Sequence, residues 1–206
     1  MIEWRSKRLI AGLLVVALAA AFSTGRPAGA ADRTVVVPVF YAPSPLPPFP
    51  SMVPEQYAAT SLTAMLAAAA GGRIAVVPRD QVVAKESELH WREVDVLQFA
   101  RLSELAHALG ADRVVVGWIL VLTWNTGGSG GRSDIVGGGT AGMLYGLTDV
   151  IYQVFDATQG RIVYETRAEG HSVGGTMTLS AKAALDDAGR RGAAQLLGPV
   201  TGTGAP

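Results

Sequence analysis

Apolar and polar positions along the chain sort into short β-branched runs and longer stretches with helical spacing. Residues 33–40 (RTVVVPVF) are the first such run, a strand in which Pro38 is tolerated at an edge or an end because proline cannot donate to a sheet ladder. Between residues 55 and 70, Leu62, Met65, Leu66 and Ala69 recur at the interval of one helix face, and the Gly71-Gly72 pair can close it with left-handed backbone. A short strand is predicted over 73–77 (RIAVV), then a helix over 78–89 that opens on Pro78. A further helix is predicted over 94–109, where Leu102, Leu105, Ala106 and Leu109 make one apolar stripe that Gly110 ends.

Residues 112–124 (DRVVVGWILVLTW) are almost continuously apolar, the pattern of a strand buried on both faces and so central in its sheet. Trp118 and Trp124 are an even number of residues apart, which puts them on one face of a regular strand, in the core. Residues 147–157 and 161–171 pair as a hairpin across the turn of Asp156 to Gly160. In its second strand Ile162, Tyr164, Thr166 and Ala168 alternate with Val163, Glu165, Arg167 and Glu169, so one face is buried and the other largely wet. The last helix is predicted over 178–197, with Ala181, Ala184, Leu185, Ala188, Gly192 and Leu196 inward and Gly198-Pro199 as its stop. Lys182 with Asp186, Asp186 with Arg190 and Asp187 with Arg191 are spaced for ion pairs on its outer side. The expected order is β-α-β-α-α-β-β-β-α: an α/β (α+β) fold, a mixed β-sheet with helices packed on it, without internal repeat.

The amino terminus follows neither period. Arg5, Lys7 and Arg8 precede an uncharged apolar run over 9–22, which is shorter than the ~20 residues of a membrane span. Ala28, Gly29 and Ala30 supply the small residues of a signal-peptidase site, leaving Ala31 or Asp32 as the mature start. The expected organisation is a signal peptide over 1–30, one α/β domain over 31–198 and a disordered tail over 199–206. This places the protein in the periplasm, or outside the cell, or on the envelope if the signal is retained, with membrane contact only through the signal peptide.

Composition narrows the chemistry. The chain has no cysteine, which removes disulfides, thiolate metal sites and the acceptor of a lipid anchor. Losing residues 1–30 leaves Asp and Glu in excess by about three, and with no basic stripe a nucleic-acid partner is not expected. Residues 125–142 are glycine-rich and read as a loop. Gly127 to Gly131 match the G-x-S-x-G of a hydrolase elbow at Ser129, and Gly137, Gly139 and Gly142 match G-x-G-x-x-G, but no helix is predicted after either. His90, His107 and His171 have no second ligand at metal spacing, so no metal or cofactor is expected. His90-Trp91, close to Glu86, Glu88, Glu93 and Asp95, would suit a small polar site. Six prolines between Pro43 and Pro54 make a stiff crossover, and Leu46, Phe49, Met52 and Val53 on it are the residues expected to bind a partner.

Three segments carry a family resemblance: residues 74–81 (IAVVPRDQ), 105–117 (LAHALGADRVVVG) and 152–165 (YQVFDATQGRIVYE) followed by the alanine-rich last helix. They resemble the domain shared by the curli production assembly/transport component (CsgG-like) family and the amino-terminal domain of TolB-like periplasmic proteins. The resemblance implies a non-catalytic exported protein that works by contact with envelope proteins or with copies of itself, in envelope assembly or secretion. A membrane-inserted β-hairpin needs strands of ~9 to 11 alternating residues, which the glycine-rich segment does not contain. The competing classes are a secreted hydrolase using Ser129 or a His90-centred site, and a subunit of an outer-membrane secretion assembly.

Overall fold

The computed structural model describes residues 34–49, 51–126 and 144–201. The signal-peptide assignment, Ser129 and the Gly137, Gly139 and Gly142 triplet lie outside them. Five strands form one sheet in the order β2-β1-β3-β4-β5. β1 (Thr34–Val36) pairs in parallel with β2 (Ala75–Val76) on one side and with β3 (Arg113–Thr126) on the other. β3, β4 (Leu144–Asp156) and β5 (Arg161–Gly174) make an antiparallel meander. The chain enters β4 and leaves β5 three residues beyond the expected hairpin at each open end. β3 is central, as its apolar run requires.

Helix α1 (Pro54–Ala70) and helix α4 (Met177–Thr201) cover one face of this sheet. They enclose Phe40, Leu62, Leu66, Ile119, Tyr152 and Leu185, all essentially without solvent contact. Helix α2 (Arg79–Glu88) and helix α3 (Phe99–Ala108) cover the other face at the β2-β1-β3 side, over Val36, Val114, Val116 and Phe155. The result is a three-layer mixed α/β domain in the expected order of elements.

Four local expectations are corrected. β1 stops at Val36 and not at Phe40: Pro38 has no donor, and the Val39 N–H goes to the Glu86 carboxylate at 2.6 Å instead of a ladder. The helix expected over 94–109 is two pieces, a 3-10 turn (Glu93–Leu97) and α3, separated by extended backbone at Gln98. Asp95 shapes the first piece at both ends: its buried carboxylate accepts the Arg92 N–H at 3.0 Å in a capping box that opens the turn, and its carbonyl accepts the Gln98 N–H at 3.0 Å where the turn closes. Trp118 and Trp124 face opposite sides of the sheet, since the register of β3 shifts between Ile119 and Val121 and reverses the alternation. Trp118 stands edge-on to Tyr41, with ring centroids 6.2 Å apart, and Trp124 packs on Phe49 at 5.4 Å in the opposite core.

The fourth correction is at α4, which runs through Gly198 and Pro199 to Thr201. Val200 is fully buried there, and the Thr201 hydroxyl donates to the Leu197 and Gly198 carbonyls, so packing and a side chain hold the last turn that proline weakens. Of the three ion pairs spaced along α4, Asp187–Arg191 forms at 3.0 Å. Asp186 turns inward and ties α4 to α1, accepting from Tyr57 Oη at 2.9 Å and Ser61 Oγ at 2.5 Å. Burial and that carboxylate push the Tyr57 hydroxyl up to about 12.

The buried Asp95 carboxylate sets a pH dependence. Burial alone would raise this carboxyl, but the Arg92 N–H and the Arg101 guanidinium at 3.2 Å hold it below the usual carboxylate range. A carboxyl depressed by folding stabilises above its unfolded pKa, ~4, and that contribution is lost as the pH falls through the lowered value. Asp95→Asn is therefore expected to lower the urea midpoint at pH 7 and to differ little from the native chain near pH 2. A gap that stays constant across that range would contradict the assignment.

Candidate functional site

Two surfaces carry the residues with functional potential. The first is a cleft of about 730 Å³ beyond the carboxyl end of β1, lined by Val39, Gln56, Glu86, His90, Trp91 and Glu93 among others. Crevices at the carboxyl ends of parallel strands are where open α/β sheets bind ligands. Glu86 reaches its floor from the buried face of α2 and is paired with Arg79 at 3.0 Å, the two side chains being 9% and 10% exposed. Arg79 also donates to the Val37 carbonyl at 3.0 Å and to Gln56 Oε1 at 2.9 Å, so this ion pair joins the exit of β1 to α1 and α2. Both Glu86 oxygens and both terminal nitrogens of Arg79 are hydrogen-bonded within the fold, which offsets much of the cost of burying the charges.

The residues grouped around His90 in the sequence are only partly brought together. Glu86, His90, Trp91 and Glu93 line the cleft. Glu88 instead pairs with Lys85 on the surface, and Asp95 is committed to its capping box. His90 is the one described non-glycine residue with positive φ, at 51°. The Glu93 carboxyl is raised by burial and by the charge of Glu55. Arg101 lies over the Trp91 ring, 5.4 Å from its centroid. Among the described residues no serine hydroxyl donates to a histidine, and no cluster of His, Asp or Glu could hold a metal ion. His107 is exposed at the end of α3, and His171 is exposed on β5, 3.8 Å from Glu169.

The second surface is the face of the β3-β4-β5 meander opposite α4. α3 packs on Phe155 through its first residue, Phe99, with ring centroids 5.7 Å apart, and no described helix covers the sheet beyond it. Register stacks Thr123, Leu147 and His171 in one row, Val121, Asp149 and Glu169 in the next, and Tyr145 beside Val173. Tyr145 is 47% exposed, Leu147 40% and Val173 58%, and they border a shallow cleft of about 610 Å³. Asp149, in the row beyond Leu147, is buried and bonded by the Arg167 guanidinium, with Nε donating to Oδ1 at 2.7 Å. The sequence reading missed this face because it took β3 as buried on both sides. The available signal was β4, where Tyr145, Leu147 and Ile151 are apolar in one parity and Val150, Tyr152 and Val154 in the other.

The four crossover residues expected to bind a partner are placed differently from one another. Phe49 is buried against Trp124, Leu46 and Met52 pack partly on the same core, and Val53 is 56% exposed.

No helix among the described residues is long and apolar enough to cross a membrane. No family model and no curated protein matches the chain. Solved structures do match. The lipoprotein GNA1162 from Neisseria meningitidis is 13% identical, with 70% of this chain and 85% of that one covered at a TM-score of 0.50. The LpoB C-terminal domain from Salmonella enterica is 15% identical, over 68% of this chain and 82% of that one, at a TM-score of 0.40. A PelC dodecamer subunit from Paraburkholderia phytofirmans is 16% identical, over 81% and 93%, at 0.42. At such identities the likeness to GNA1162 is one of fold.

Proposed function

We propose that this protein is an exported, non-catalytic envelope protein that acts in the periplasm through protein contacts, in envelope assembly or in secretion. The observation that carries the reading is the uncovered meander face, where Tyr145, Leu147 and Val173 stand exposed in the rows next to the buried Asp149 carboxylate and the exposed Arg167 that binds it. Apolar side chains arranged in rows on a rigid sheet, with a polar pair to fix orientation, have the make-up of a protein-contact surface. Val53 and the crossover around Leu46, Phe49 and Met52 form a second contact region in this proposal.

The fold likeness to the lipoprotein GNA1162 supports the envelope setting. This chain has no cysteine to take a lipid, so it would reach its partners from the aqueous side. Kinship with the curli transport component and the TolB amino-terminal domain belongs to the same proposal. The hydrolase reading has less support, since the carboxylate at the floor of the His90 cleft is already bonded to Arg79 and to the Val39 N–H.

Affinity purification of the tagged chain from intact envelope tests the proposal. The native chain is expected to bring down a reproducible partner, and Leu147→Asp with Val173→Asp to lose it while circular dichroism stays native. An unchanged partner list in the doubly substituted protein, or turnover of an ester or peptide substrate that Glu86→Gln abolishes, would overturn it.

A further inference from the structure

We propose that the outer edge of β5 pairs with β5 of a second copy of this chain, antiparallel, about a two-fold axis at Ala168. β5 is an edge strand of fourteen residues with no neighbour beyond it among the described residues. Its parity is visible at one place, where the His171 N–H leaves the sheet and donates to Asp187 Oδ2 of α4 at 3.2 Å. Within an antiparallel strand the N–H and C=O of one residue point the same way and alternate along the chain. Glu165, Arg167 and Glu169 therefore also turn their backbone groups outward, while even-numbered residues bond β4.

The side chains on these outward residues choose the mate and the register. Arg167 and Glu169 are each 61% exposed and His171 is 60% exposed. Antiparallel pairing about Ala168 sets Arg167 of each copy opposite its mate's Glu169, and Glu165 opposite its mate's His171. Sliding by two residues in either direction sets Arg167 against Arg167 or Glu169 against Glu169, and like charges directly opposite are destabilising. The symmetric register also makes both Arg167–Glu169 positions the kind of pair that exchanges two hydrogen bonds. Beyond them Asp187 already holds the His171 N–H, which limits the ladder to a short central segment. α4 brings to this edge a neutralised pair, Asp187 with Arg191 at 3.0 Å, and Arg190 near it at 3.5 Å. A two-fold interface of this kind is self-complementary and closes at two copies.

The inference is independent of the envelope proposal, because its test contains no partner but the chain itself. In sedimentation velocity the purified full chain is expected to shift from monomer to dimer as its concentration rises. Glu169→Lys alone and Arg167→Glu alone each place like charges at both pairs and are expected to stay monomeric. Mixed in equal amounts, the two variants restore Arg–Glu and Lys–Glu pairs and are expected to form a heterodimer. Glu169→Pro removes both the outward N–H and the carboxylate that faces the mate's Arg167, without touching the bonds to β4, and is expected to give a folded monomer, which keeps the test valid if Arg167→Glu fails to fold. A native chain that remains monomeric, a Glu169→Pro dimer, or charge variants that dimerise separately as well as the native chain would overturn the proposal.

Discussion

Replacing Gly170 by valine is expected to lower the melting temperature by roughly 10 °C or more, a larger effect than any surface change in this domain. Gly170 lies on β5 beneath α4, and a Cβ there would collide with the Ala184 carbonyl and stand 2.7 Å from Ala188 N. Those are backbone atoms of a helix, so no rotamer change relieves the clash and α4 must lift from the sheet. Lifting it loosens Ala181, Ala184, Leu185, Ala188 and Leu196, all of them buried. Overpacking a core costs typically ~1–3 kcal/mol and more where backbone must move, and each kcal/mol is worth about 2–4 °C in a domain of this size. Thermal unfolding followed by circular dichroism decides the matter. A melting temperature within two or three degrees of the native value would show that α4 does not sit this close to β5. Gly192 makes the reciprocal approach from the helix, where an added Cβ would meet the Tyr152 ring at 2.5 Å.

Asp156→Ala is expected to be the most destabilising loss of a charge, by roughly 3–5 kcal/mol, the range for breaking one side of a buried ion pair. Asp156 and Arg113 face each other at the end of the β3-β4 pair, each with a side chain 7% exposed. Asp156 also accepts the Thr158 N–H at 2.8 Å and the Gln159 N–H at 2.9 Å, shaping the turn into β5. Alanine removes the turn acceptor and the counter-charge at once. Asp156→Asn retains an acceptor for the turn and is expected to fall between the two. The double variant Arg113→Met with Asp156→Ala should recover part of the loss, because no charge is then left buried without its partner. Urea midpoints of the four proteins measure this. A double variant no better than Asp156→Ala would assign the whole effect to the turn.

Element order and class were legible in the sequence because period and punctuation agree almost everywhere. The α3 stripe of Leu102, Leu105 and Ala106 and the inward set of α4 are buried as their spacing requires. The apolar run from Val114 takes the central place in the sheet. The His90 grouping was legible in part: a short connection keeps Glu86, His90, Trp91 and Glu93 together, while capping chemistry takes Asp95 away.

What local pattern by itself determined, then, is the set of elements, their order and most of their inward faces, since period and turn residues act within a few positions of one another. Tertiary structure alone decided which side of the sheet each residue of β3 reaches beyond Ile119. There the Thr148 hydroxyl, fully buried on the neighbouring strand, donates to the Val121 carbonyl at 2.9 Å, a contact across 27 positions of sequence. It alone decided also that Asp186 turns inward to Tyr57 and Ser61, more than a hundred residues away. Tertiary structure likewise leaves the meander face open, since α3 reaches it only through Phe99 on Phe155 and α4 lies on the opposite side of the sheet. Such outcomes depend on which distant groups compete for one carboxylate or one carbonyl, and that competition exists only once the layers have packed.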